Sequence, residues 1–240
     1  MLTFFFAPYF ATVAADYFAA SGMEIEASKA KAQTMWSICL SASGLFIGVS
    51  APILGAIADS SGRRMPWIYV FSIMLIVGAL GTWVGVPDGS NLTLMLYFFA
   101  LGYIGTEFAL IFTNAQLTTL GDQNEIGKIS GSGFGFGYLG GVFALAIALL
   151  FLVEQPNGTT FMLGIEPLFG FLNPENMEGT RFVGPLAAIW FIVFAIPYFK
   201  NIKDDPALLN KINVEKGLKD LFQLLKGCLL YTSPSPRDNR

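Results

Sequence analysis

The chain has 240 residues, of which 54% are apolar and only 13% are charged. Soluble proteins carry roughly 25% charged residues, so an ordinary soluble enzyme is excluded, and the net charge of -3 excludes a nucleic-acid binder that relies on a basic surface. Because the chain contains no histidine, it can form neither a Ser-His-Asp triad nor a His-ligated metal site. We therefore expect a membrane protein without enzymatic activity, cofactor or bound metal.

Long stretches without charged residues predict six membrane-spanning helices, since about 20 helical residues cross the hydrocarbon core of a bilayer. These helices are predicted over residues 1–18, 34–58, 66–86, 92–115, 130–153 and 182–199. The first stretch is the shortest, and it lacks the positively charged start of a signal peptide. We interpret it as a transmembrane helix whose beginning is missing. The sequence thus predicts an all-α membrane protein in which residues 1–199 form a six-helix bundle.

The distribution of Lys and Arg predicts the orientation of these helices, because cytoplasmic loops retain basic residues. With the first helix running outward, nine basic residues lie on the inner side and three on the outer side. The long loop at 154–181 then lies outside, which fits its four glutamates. We expect an integral multi-pass protein of a bacterial inner (plasma) membrane.

Residues 200–227 are predicted to form a cytoplasmic amphipathic linker. Leu218, Leu221, Phe222 and Leu225 recur at helical spacing, and lysines occupy the remaining face. This pattern is typical of a helix that lies on a membrane surface. A soluble tail helix is the alternative.

The last segment, residues 228–240, is unrelated in periodicity and composition to the helix before it. It resembles the translation of a transposon-derived sequencing adapter, so we expect a non-native tail after Gly227. A natural Pro/Ser-rich tail is the alternative. Without this segment one cysteine remains, Cys39, which is too few for a disulfide.

The most specific motif, GAIADSSGRR, lies at the inner end of the second predicted helix. Asp59 is placed at the C-terminal end of that helix, where an anion is unfavourable unless cations lie nearby. Arg63 and Arg64 can supply that positive charge, and Gly62 permits the tight turn that brings them back. Gly55, one turn before Asp59, is expected to let another helix approach closely. We predict a charged latch between helix ends; simple anchoring by both arginines is the alternative.

This motif resembles the loop between the second and third helices of major facilitator superfamily transporters. Three further segments, FTNA at 112–115, EIGKISG at 125–131 and FGYLGG at 136–141, resemble the branch that contains the autophagy-related vacuolar amino-acid effluxers and their bacterial relatives. The resemblance covers about residues 2–227 and implies the N-terminal half of a twelve-helix fold, with a missing C-terminal six-helix half. It also implies secondary active transport of a small solute, such as an amino acid, by alternating access.

Glu107 is the one acidic residue well inside a predicted span. A charge at the centre of a membrane helix costs roughly 2.5–3.5 kcal/mol on insertion scales, so such residues usually face a cavity or a partner. Tyr103 lies one turn before Glu107, and Asn114 lies two turns after it. These three residues are candidates for a cavity that holds the solute and a coupling ion such as H+. A structural role for Glu107, as the partner of another charge, is the alternative.

Gly133, Gly137 and Gly141 recur every four residues in the fifth predicted helix. Such a stripe of small residues predicts close packing on a neighbouring helix. The overlapping GxGxxG pattern at 135–140 does not indicate a dinucleotide site, because no strand precedes it.

Asp122 and Glu125 follow the fourth predicted helix, on the same side of the membrane as Arg63 and Arg64. Ion pairs between these two loops would hold an inner gate shut, and we predict such pairs. Solvated loop charges are the alternative.

The predicted carrier depends on a lipid bilayer, a small-molecule solute and its second half, and it has no nucleic-acid partner. We do not expect residues 1–227 to transport alone. A six-helix membrane scaffold, or a self-complete homodimeric carrier or channel without catalytic chemistry, is the alternative.

Overall fold

The computed structural model describes residues 2–121, 124–155, 157–204 and 214–230. Within these ranges the chain forms α-helices and short 3-10 turns and has no β-sheet. The helices are α1 (Leu2–Ala20), α2 (Ile25–Ser61), α3 (Met65–Gly81), α4 (Leu92–Gln116), α5 (Ile126–Phe151), α6 (Glu178–Asn201) and α7 (Val214–Leu230).

Five of the described helices, α2 to α6, are long and apolar enough to cross a membrane. Because each helix satisfies its own backbone hydrogen bonds, a bundle of this kind is stable in lipid, and the predicted all-α membrane fold is confirmed. The 19-residue helix α1 packs against α2 and α6. The count of six spans, which includes α1, stays a prediction. Following the predicted orientation, we call the end with the α2–α3 junction the inner end and the opposite end the outer end.

Three helices begin four or more residues earlier than predicted. The helix α2 starts at Ile25 instead of 34, α5 starts at Ile126 instead of 130, and α6 starts at Glu178 instead of 182. Charged residues mark where the hydrocarbon ends, but Glu, Lys and Ala are good helix formers, so the helices continue beyond the apolar stretches.

Aromatic side chains fill the core at both ends of the bundle. Near the outer end, Phe10, Trp36 and Phe99 from α1, α2 and α4 belong to one buried cluster. Near the inner end, the rings of Phe71 on α3 and Phe108 on α4 stack with centroids 4.5 Å apart.

The closest helix contact lies between α3 and α4 and depends on glycine. A side chain at Gly78 would overlap the backbone of Gly102. At Gly105, an added Cβ would lie 2.5 Å from the backbone nitrogen of Leu75. Any larger residue would push the two backbones apart, so these glycines fix the spacing of α3 and α4.

The glycine stripe of α5, which was predicted to pack on a neighbouring helix, makes no such contact in the part of the chain that the structure describes. Gly133, Gly137 and Gly141 are exposed, and an added Cβ at each would meet no atom within 4 Å. The buried positions of α5 are Ala144 and Ala148, nearer its C-terminal end. Spacing reveals a smooth helix face, but it does not reveal which neighbour covers that face.

Candidate functional site

The inner end of α2 is closed by a tight turn at Gly62. This residue has a left-handed backbone with φ of 65°, and its N–H donates to the Asp59 carbonyl oxygen at 3.3 Å. Residues with a Cβ rarely adopt this conformation, which explains why glycine follows the helix. The turn leads directly into α3, as the motif predicts.

Asp59 and Arg64 form an ion pair across this turn. The Nε and Nη2 atoms of Arg64 donate to one Asp59 oxygen at 3.2 and 2.8 Å. The side chains are 22% exposed for Arg64 and 62% exposed for Asp59, so water screens the pair. Exposed pairs typically stabilise by about 0–1 kcal/mol. Arg63 is exposed beside the pair.

The sequence predicts a close helix approach at Gly55. The structure instead shows a close approach at the next residues of α2, and it depends on a glycine of α7. Nothing lies within 4 Å of a Cβ added at Gly55. Instead, a Cβ at Gly217 of α7 would lie 3.0 Å from the carbonyl oxygen of Ala56 and 3.1 Å from the Cα of Ile57. The glycine is therefore needed on α7, because its position on α7 is the one that contacts the α2 backbone.

A carboxylate that the sequence did not single out completes the inner junction. Asp204, three residues beyond the end of α6, accepts hydrogen bonds from the backbone N–H of Arg64 at 3.0 Å and of Met65 at 3.1 Å. These donors lie at the N-terminus of α3, where helix N–H groups lack intrahelical partners. The sequence signal was the N-cap itself, since Arg64 occupies a position where Ser, Thr, Asp or Asn usually supplies the acceptor.

Helices α4 and α6 are also joined at the inner end. The Tyr198 hydroxyl donates to Oε1 of Gln116, whose side chain is only 3% exposed. The tyrosine ends an apolar stretch, where the sequence indicates an aromatic residue at the membrane edge. The structure shows that it also fixes α6 to α4.

The three cavity candidates share one face of α4, because four- and seven-residue spacings return to the same side of a helix. Tyr103 and Glu107 are half-buried, and Asn114 is exposed. The Tyr103 ring stacks on Phe99, with centroids 6.0 Å apart. Among the described residues Glu107 has no ion-pair partner, so the structural alternative finds no support within those ranges.

The predicted ion pairs between the two inner loops are not resolved by the structure. Asp122 lies outside the described residues, and Glu125 is exposed at the N-cap of α5. Arg64 is engaged by Asp59, a partner within its own junction. Pairing of the inner loops through Asp122 stays a prediction.

The outer end has its own carboxylate at a helix start. Glu154 accepts hydrogen bonds from the backbone N–H of Gly179 at 3.3 Å and of Thr180 at 3.1 Å, in the first turn of α6. Burial raises the pKa of the Glu154 carboxyl, and these hydrogen bonds oppose the shift. The carboxylate ties the end of α5 to the start of α6.

Arg181 is buried beside this link, although the sequence prediction places it at the end of the outer loop at 154–181. It is 7% exposed, its guanidinium lies over the Trp83 ring at 4.7 Å, and Nη2 donates to the Trp83 carbonyl oxygen at 2.5 Å. Its Nε has no hydrogen-bond acceptor among the described residues. The extension of α6 to Glu178 carries Arg181 into the bundle, which explains the difference.

Taken together, the apolar spanning helices and their polar end junctions define an integral membrane protein with an all-α fold. Over 186 residues, or 77% of its length, the chain is 24% identical to the uncharacterized MFS-type transporter YxiO of Bacillus subtilis strain 168. This similarity supports membership of the major facilitator superfamily and a membrane transporter in general. The match covers 39% of that relative's length.

No family model matches the chain. No solved structure matches it either.

Proposed function

We propose that this chain is the N-terminal part of a secondary active transporter of the major facilitator superfamily. The observation that carries the proposal is the similarity to an MFS-type transporter along 77% of the chain. The bundle of apolar helices and the Asp59–Arg64 ion pair at its inner end support it. In this reading a second six-helix half completes the carrier in a bacterial inner membrane.

Alternating access requires contacts that hold one side closed and then release it. The Asp59–Arg64 pair suits that role because it is partly exposed and therefore costs little to break. The turn at Gly62 provides a short connection about which α2 and α3 can shift. We propose that this junction is part of the inner gate.

Glu107 is the proposed coupling residue, with Tyr103 and Asn114 beside it on the same face of α4. A half-buried carboxylate within a spanning helix, unpaired in the described ranges, can bind a proton or a cationic group of a solute. The chain has no histidine, so a proton-coupled cycle would use a carboxylate of this kind.

The proposed solute class is amino acids, for which the resemblance of three sequence segments is the support. The test is uptake of a radiolabelled amino-acid mixture by proteoliposomes that contain the complete protein, with and without an imposed pH gradient. We expect gradient-dependent uptake above that of empty liposomes, and Glu107→Gln should abolish the dependence on the gradient.

Two outcomes would overturn parts of this proposal. Uptake that responds to the gradient equally in Glu107→Gln removes Glu107 from coupling. Absence of flux for amino acids and for a broad solute panel, with protein shown to be folded, contradicts a transporter. Glu175→Gln is the matched control, since it neutralises an exposed glutamate outside the spans.

A further inference from the structure

The start of α3 lacks a cap from its own sequence. Arg64 is the N-cap residue, and its guanidinium is a donor without acceptor capacity, so it cannot satisfy the free N–H groups of the first turn. Pro66 has no N–H, and the N–H groups of Arg64 and Met65 are the first donors at the opening of the helix. An acceptor has to come from elsewhere in the chain.

Asp204 is that acceptor, from 140 residues away. One carboxylate oxygen receives the Arg64 N–H at 3.0 Å and the Met65 N–H at 3.1 Å, and the other receives the Met65 N–H at 3.2 Å. The negative charge also faces the positive end of the α3 dipole. Hydrogen bonds to a charged group are stronger than neutral ones, so Asp204 is a strong acceptor for these two N–H groups.

Described residues before and after Asp204 in the sequence also contact the inner junction. Before it, Ile202 packs against the buried inner cluster of α2, α3 and α4. In α7, Gly217 lies against the α2 backbone at Ala56 and Ile57. The chain that follows α6 therefore touches both helices that meet at the inner junction.

Arg64 is the residue at which these contacts converge. Its side chain donates to Asp59 at the end of α2, while its backbone N–H donates to Asp204. A shift of Asp204 would move the backbone from which the Arg64 side chain reaches Asp59. The segment after α6 and the ion pair are thus mechanically connected through one residue.

We propose that Asp204 is a positioning residue that sets the geometry of the inner gate. It holds the start of α3 so that Arg64 meets Asp59, and it couples the linker after α6 to the α2–α3 junction. This inference rests on the proposed transport function for its role in a cycle, but the contact itself can be tested without transport.

The test is hydrogen exchange of the 240-residue chain in detergent, read at the amides of residues 64 and 65. Removing the acceptor with Asp204→Ala should accelerate exchange there about tenfold, since a lost hydrogen bond of this kind changes local opening by that order. Asp204→Asn should accelerate it less, because an amide oxygen still accepts. Lys203→Ala, an exposed neighbour, is the matched control and should exchange like the parent.

Peptides over residues 176–184, at the outer end, report whether the variants are folded and should not change. Unchanged exchange at 64 and 65 in Asp204→Ala overturns the proposal. If Asp204→Ala accelerates exchange everywhere, Asp204→Asn decides: faster exchange confined to 64 and 65 supports the proposal, and exchange equal to that of Lys203→Ala overturns it.

The second readout is transport by the complete protein. A positioning role predicts a lower maximal rate with little change in KM for Asp204→Ala, and partial recovery in Asp204→Asn. An unchanged maximal rate overturns the coupling to the gate. If the parent moves no solute, the transport proposal fails while the exchange result still decides the role of Asp204.

Discussion

The inner and outer ends of the bundle both place a carboxylate at the start of a helix, but they differ in how exposed the neighbouring charged groups are. At each end a carboxylate from a distant segment accepts N–H groups at the start of a helix, Asp204 for α3 and Glu154 for α6. At the outer end the link is surrounded by packed groups, including Arg181 at 7% exposure. At the inner end the adjacent ion pair involves Asp59, whose side chain is 62% exposed.

This difference indicates which end can open at low cost. Separating the outer helices would expose a buried guanidinium and break its contact with Trp83. Shifting α3 away from the end of α2 at the inner end would release an ion pair that water can replace. We infer that the outer junction is a structural fastening and that the inner junction is the adjustable one.

The largest expected effect is at Gly179, where the outer helices are in contact. A side chain there would overlap the carbonyl oxygen of Leu152, so Gly179→Val should destabilise the fold by about 3 kcal/mol. The measurement is thermal unfolding in detergent. Gly55→Val is the matched control at the inner end, where the space is open, and should unfold near the parental temperature. Equal unfolding temperatures for both variants would contradict the contrast between the ends.

The next effect is at Arg181. Replacing it by Ala removes the hydrogen bond to Trp83 and the contact with its ring, and it leaves the Trp83 carbonyl without this donor, for a loss of about 2 kcal/mol. Lys200→Ala removes an exposed cation from the same helix and should change little. Thermal unfolding of the two variants checks the prediction. Similar stability in both would show that Arg181 is not a fastening.

A smaller effect is expected from Glu154 and depends on pH. Burial, assisted by the nearby Glu178, raises the carboxyl pKa above its ordinary value of 4.5. The folded chain therefore retains this proton to higher pH than the unfolded chain, and its contribution to stability is fully present below 4.5 and is lost as pH rises through the folded pKa.

Glu154→Gln should flatten this part of the stability profile, because an amide does not titrate. Unfolding temperatures of parent and variant are measured from about pH 4 to about pH 7. As the pH rises, the unfolding temperature of the parent should fall relative to that of Glu154→Gln. Glu175→Gln, at an exposed carboxylate, is the control. A constant offset between the parent and Glu154→Gln would contradict the assigned titration.

The sequence predicted the helices well because membrane spans follow from one strong signal, the absence of charge over about 20 residues. It also predicted the turn at Gly62, since the requirement for a left-handed residue is local. It did not reveal Asp204 or Glu154, because their partners are backbone N–H groups that carry no sequence identity. Arg181 falls in the predicted outer loop because a charge marks the end of an apolar span, whereas helix α6 continues through this residue and starts at Glu178.

Small-residue packing shows the same division between local and distant information. The four-residue repeat of Gly133, Gly137 and Gly141 predicts close packing, but the contact between two glycines that the structure describes joins Gly78 to Gly102. Those two glycines lie in consecutive predicted helices, so the sequence is compatible with a contact between them. The spacing of the glycines alone does not indicate which of them contact another helix.

The most direct test of the account is transport by Arg64→Gln in proteoliposomes, measured beside its thermal unfolding. Loss of an exposed ion pair should lower stability by less than about 1 kcal/mol, yet the same energy shifts a two-state gate about fivefold. We therefore predict near-parental unfolding with a transport rate reduced about fivefold, while Lys200→Gln transports normally. A parental transport rate in Arg64→Gln would contradict the assignment of the inner junction as the gate.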